Sequence, residues 1–143
     1  MMKIQSKKAI VVLVLVISAS LAPAAQANNF QRRALTHAET LGLAACANFK
    51  TVSDYAYAFD ALPKARRLAT RTTALAHLQG LVTTFRTSLN LAVAANSPYY
   101  RPWLTPLAAI SGFASTGNGT PAVESAVANL TSRCATLHRT TGA

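Results

Sequence analysis

"SRCATLHR", Ser132 to Arg139, places Cys134 and His138 one helical turn apart near the end of the chain. Read as ligands, the two residues are half of a metal or haem site. Read as a tie, Cys134 fastens the last helix to another part of the fold and His138 is a surface group. Covalent haem attachment needs C-x-x-C-H, and "CATLH" lacks the second cysteine. A structural zinc site needs four ligands, usually in closely spaced pairs. Here Cys46, His37 and His77 each stand alone in the sequence. The tie is the better reading. With two cysteines, Cys46 and Cys134, one intramolecular pairing is available.

Hydrophobic spacing supports that pairing. Val123, Val127, Leu130, Cys134 and Leu137 recur at intervals of 4, 3, 4 and 3, which is one face of a helix. Cys46 borders a comparable stripe made by Leu35, Ala38, Gly42, Ala45 and Phe49. Two cysteines facing inward from the first and last helices are placed to meet.

The start of the chain points to a compartment in which such a bond persists. Lys3, Lys7 and Lys8 precede the apolar run "AIVVLVLVISASLA", and Ala25 and Ala27 follow in an A-x-A arrangement. This is the pattern of a cleaved secretory signal over residues 1–27, so a mature chain from Asn28 is expected, secreted or periplasmic. Residues 28–143 then form a single domain with one modest core. Three of the 14 basic residues leave with the signal, so 11 face four acids, a net charge of +7. That balance favours an anionic partner, such as an acidic protein or an envelope polymer. Nothing in the sequence specifies nucleic acid, and no later apolar run approaches membrane-spanning length.

Periodicity predicts an all-α bundle of four or five helices. The first is expected from Asn29 to about Phe49, with a break at "KTVSD" and a short helix capped by Ser53 that carries Tyr55 and Phe59. The longest is expected from Pro63 to about Ala95, with a seam of Leu75, Leu78, Val82, Phe85, Leu89 and Ala92 and a weak point at Gly80. Continued backwards, that seam meets Lys64, Arg67 and Arg71 in place of apolar residues. Cations oppose the helix dipole at an N-terminus, so Lys64, Arg66, Arg67 and Arg71 read either as a solvated end projecting past the core or as an anion- or partner-binding patch.

"SPYYRPWLTP", Ser97 to Pro106, interrupts the helical pattern with prolines at intervals of four. Tyr99, Tyr100 and Trp103 lie between them with Arg101. They read either as a plug for the end of the bundle or as an aromatic contact loop, since Tyr, Trp and Arg dominate binding surfaces. A helix from Trp103 or Leu104 to Ala114 follows. "STGNGTP" is a turn, Thr120 caps the last helix with Pro121 in its first position, and that helix is expected to reach His138 before a frayed tail. The tripeptides at Asn118 and Asn129 match the glycosylation pattern.

Catalytic patterns are absent. The four acids Glu39, Asp54, Asp60 and Glu124 form no spaced pair, and there is no nucleophile elbow, phosphate loop or zincin helix. The sequence implies no enzyme, no resident metal and no required cofactor. Haem held without covalent attachment is an alternative, with ligands drawn from His37, His77, His138, Tyr55 or Tyr57. One cysteine towards each end, with Asp54 and Tyr55 after the first, resembles in layout the small secreted haem-binding proteins of mycobacteria, and that resemblance implies haem as a ligand. A cationic protein acting on membranes is a third class. The principal expectation is a non-enzymatic binding protein for an acidic or polyanionic partner.

Overall fold

The start of the first helix is written into a reciprocal cap. Thr36 Oγ1 accepts from the Glu39 amide at 3.2 Å, and the Glu39 carboxylate accepts from the Thr36 amide at 2.8 Å. In this computed structural model, which describes residues 33–143, α1 therefore runs His37–Asp60. The expected signal segment and the expected helical start at Asn29 lie outside the described residues.

The break expected at "KTVSD" does not occur, and α1 continues through it. Ser53 is not a cap: its hydroxyl donates back to the Phe49 and Lys50 carbonyls within the helix. Lys50 and Asp54 form an i,i+4 ion pair across the same turn. Val52 is buried in the core, so packing on the interior face overrides weak local propensity.

A short turn leads to α2, Lys64–Ala95, whose 32 residues span about 48 Å. Pro63 is its N-cap rather than its first residue. The helix is undivided at Gly80, which stands at the surface with open space around it. Leu78, Val82, Phe85, Leu89 and Ala92 are buried, as their spacing predicts, and Leu75 is half-buried. α1 and α2 form an antiparallel hairpin, pinned by Asn48 to Ser88 at 3.0 Å and by the Phe49 and Phe85 rings at 5.6 Å.

The prolines of residues 97–106 are each absorbed in a first turn. Pro98 opens α3 (Ser97–Tyr100), Pro102 a 3-10 turn (Arg101–Trp103), and Pro106 is the third residue of α4 (Leu104–Thr116). A proline in these positions forfeits no helical hydrogen bond, so the chain can turn at each of the three. α4 returns along α2, held by Gln79 to the Ala114 carbonyl and Arg86 to Ser111 at 3.2 and 2.7 Å. Gly117, in the left-handed region at φ 68°, ends α4 and donates to the Phe113 carbonyl. Thr120 caps α5, Pro121–Thr141, with Glu124 in the favoured first turn. The tail is more ordered than expected: the helix passes His138, Thr141 is buried, and Gly142 closes the end.

α5 packs on α4 and reaches α1 along a thinner contact, where Cys46 and Cys134 are joined. The fold is thus all-helical among the described residues and stapled as expected. Their Cα atoms are 5.6 Å apart across a separation of 88 residues. Closing so long a loop stabilises the fold by about 4–5 kcal/mol on the chain-entropy estimate. We expect the intact chain to expose no alkylatable thiol until reduced. Paired Cys46→Ala and Cys134→Ala substitutions should lower unfolding stability by roughly that amount in urea denaturation; an unchanged midpoint would show that the bond contributes nothing.

At the other end of the α1–α2 hairpin, Tyr100 and Trp103 are each 1% exposed and stacked edge to face at 5.1 Å. Tyr100 Oη donates to the Ala38 carbonyl at 3.1 Å and lies over Gly42, where a Cβ would come within 2.1 Å of that oxygen. Burial, then Tyr99 and Glu39, push the Tyr100 phenol from 10.0 up to about 12. The fold therefore favours the neutral phenol. Its contribution is full below pH 10 and is lost as pH rises through about 12. We expect Tyr100→Phe to abolish that alkaline step while costing about 0.5–1.5 kcal/mol at neutral pH for the missing hydrogen bond. Urea denaturation across the pH range, with phenolate absorbance in parallel, measures both.

Candidate functional site

Below the staple, α1 and α5 do not close on each other. Between them lies a cleft of about 820 Å³, within the size range of pockets that hold one small ligand. Phe49, Val52 and Ala56 of α1 form one wall, and Val123, Val127 and Ala128 of α5 form the other. Ile110 and Phe113 of α4 supply the floor. The opening of α2 crosses one edge and brings Lys64, Arg67, Leu68 and Arg71 to it.

Helical geometry explains which cations take part. Positions 64, 67, 68 and 71 repeat at three and four residues and so share one face. Arg66 lies off that face; it is exposed and does not line the cleft. The four-residue patch expected from the sequence therefore separates into a set of three and an outlying arginine. Arg67 pairs with Asp60 at 2.7 Å, an exposed contact that contributes little stability. Arg71 donates to the Thr116 carbonyl at the end of α4, which fixes the guanidinium beside Gly117. Lys64 has no hydrogen-bond or ion-pair partner among the described residues. α2 also starts with no side-chain cap and no acid in its first turn, so nothing on that helix offsets these charges.

The cleft combines this edge with apolar surface that water reaches. Tyr57 and Leu68, 67% and 62% exposed, both line it. Asp60 and Glu124 are its two carboxylates, so three cations leave one net positive charge.

The aromatic segment divides differently. Tyr100 and Trp103 belong to the interior and are not available to a partner, while Tyr99 and Arg101 face outward. As a plug this segment fills one end of the bundle; as a contact surface it retains two residues. The candidate haem ligands are dispersed. The Tyr55 ring packs at a tilt against His77 with centroids 4.6 Å apart, His37 is exposed at the start of α1, and His138 Nδ1 lies 3.1 Å from the Ala143 main-chain oxygen. Tyr57 alone among them lines the cleft. No group of three or more His, Cys, Asp or Glu able to hold a metal occurs among the described residues. No helix among them is long and apolar enough to cross a membrane.

Sequence reasoning missed the cleft itself. Val123 and Val127 carry core spacing, yet both remain half-buried because α1 stands away from them. Leu68, an apolar residue inside a basic turn, was the available signal. Comparison with known protein families, with curated proteins and with solved structures found no match to this chain.

Proposed function

We propose that this is a non-enzymatic binding protein, working outside the cytoplasm, that takes up an anionic partner at the basic edge formed by Lys64, Arg67 and Arg71. The observation that carries this reading is the convergence of three cations on one edge of an open cleft, with Lys64 unpartnered among the described residues. Cations in the opening of a helix oppose its dipole, so their placement has no advantage for the helix itself. A disulfide and a signal-like leader both suit an oxidising compartment.

Immobilised poly-glutamate tests the reading. Neutralising Lys64, Arg67 and Arg71 to Gln should move elution to clearly lower salt. A control in which Arg86, Arg133 and Arg139 become Gln carries the same net charge and should move it much less. Equal shifts from the two variants would mean that overall charge alone is being read, and the proposed edge would be rejected.

Tyr57 supports a second reading, in which the anionic partner is haem. Its phenol stands on the cleft wall, where it would supply an oxygen ligand to the iron, and Lys64, Arg67 and Arg71 would offer counter-charges for the haem carboxylates. Haemin titration should then give a Soret shift that Tyr57→Phe removes. No shift at micromolar haemin would eliminate this reading.

A further inference from the structure

We infer that the cleft binds a free, single-chain amphipathic carboxylate of the long-chain fatty-acid class, with its chain along the apolar walls and its head at Lys64. The inference rests on the reading of the basic edge as the anion contact and adds the chemistry of the ligand. Three features of the cleft lead to it.

The first is the pairing of surface types. Apolar side chains from α1, α4 and α5 line a space left open to water, and the cations stand along one side of it. A polyanion would satisfy the edge and leave the apolar walls wet; an uncharged hydrocarbon would do the reverse. A molecule with one charged end satisfies both.

The second is the charge balance. Asp60 already holds Arg67, and Arg71 is anchored to the Thr116 carbonyl. Glu124 lines the cleft as well, so the net complement is one positive charge, matched by one carboxylate better than by the two of haem. Lys64 is the ammonium left to meet it, and its flexible stem lets it follow a mobile head group.

The third is the distribution of exposed apolar residues. Leu68 lies one helical turn from Lys64, and Tyr57 stands across the opening on α1. A chain leaving the Lys64 end would be covered by both before it reached Val127 and Ala128. Burying these exposed groups is favourable in proportion to the apolar area removed from water.

The test uses the full chain and cis-parinaric acid, a long-chain carboxylic acid whose fluorescence rises when its chain leaves water. Saturable binding is expected, with palmitate displacing the probe. The methyl ester of parinaric acid and hexanoate should each bind at least tenfold more weakly, the first lacking the charge and the second the chain. Ala128→Trp, at an exposed position on the wall, should fill the cleft and weaken parinarate binding at least tenfold. It should leave retention on poly-glutamate unchanged. Lys64→Gln should weaken both. The inference is overturned if ester and acid bind alike, or if Ala128→Trp has no effect. It is also overturned if the protein sediments with phosphatidylglycerol vesicles but ignores free parinarate, which would assign the cleft to a membrane surface. Self-association abolished by Ala128→Trp, without parinarate binding, would assign it to a second copy of the chain. Haemin binding lost in Tyr57→Phe, again without parinarate binding, would favour haem. In each of these cases poly-glutamate retention that depends on the basic edge leaves the broader reading standing; loss of that dependence removes both.

Discussion

The covalent bond between Cys46 and Cys134 is the constraint on which the rest of the architecture depends. α1 and α2 are held by a long hairpin interface, and α4 lies against α2 with two cross-helix hydrogen bonds. α5 has no such partner on α1. The residues it offers there beyond the staple, Val123, Val127, Ala128 and Thr131, are small and cannot fill the distance. Without a covalent link, α5 would depend on its contact with α4 and on a partly wetted apolar face. With it, the last helix is fixed at one point and diverges from α1 beyond that point. The cleft is the space this divergence leaves.

The two ends of the α1–α2 hairpin have opposite characters. Near the start of α1, Gly42 admits the Tyr100 ring, Tyr100 bonds the Ala38 carbonyl, and Trp103 packs edge-on against it. No buried side-chain polar atom there lacks a partner, and the raised phenol pKa follows chiefly from the exclusion of water. Near the end of α1, the helix meets a basic turn, exposed Tyr57 and Leu68, and an unfilled volume. Both ends carry aromatic residues, but Tyr100 and Trp103 are fully buried at the closed end, whereas Tyr57 is left exposed at the open one.

Much of this was legible in the sequence, and the failures have physical causes. The 3–4 spacing of Leu78 to Ala92 located the seam of α2, and the inward placement of both cysteines located the staple. Thr120 with Pro121 and Glu124 marked the start of α5 to the residue. The false break at Lys50 to Asp54 arose because hydroxyl and acidic side chains can cap a helix or bond within it, and only the burial of Val52 decides between these. The role of Tyr100 was legible only as one of two alternatives, since its partner, Ala38, lies 62 residues away. The cleft left only one mark in the sequence, Leu68 within the basic turn. Periodicity reports which face of a helix is apolar, but it carries no information on whether another helix comes close enough to cover that face.

That limit also explains why the basic patch and the apolar stripes appeared to belong to separate functions. In the sequence, Lys64, Arg67 and Arg71 continue the α2 seam backwards, so they read as the point where a core ends and solvent begins. In space the seam changes neighbour at that point. From Leu78 onwards it faces α1 and the buried face of α4; from Arg71 back to Lys64 it faces the gap between α1 and α5. One continuous helical face thus serves as core at one end and as the charged rim of a cavity at the other. The rigid part, closed by the aromatic plug and the staple, holds the open part in shape, which is the arrangement a preformed binding cleft requires. On the proposed reading, the stability forgone by leaving the walls of α1 and α5 apart is recovered when a ligand with a charged head and an apolar body occupies the space between them.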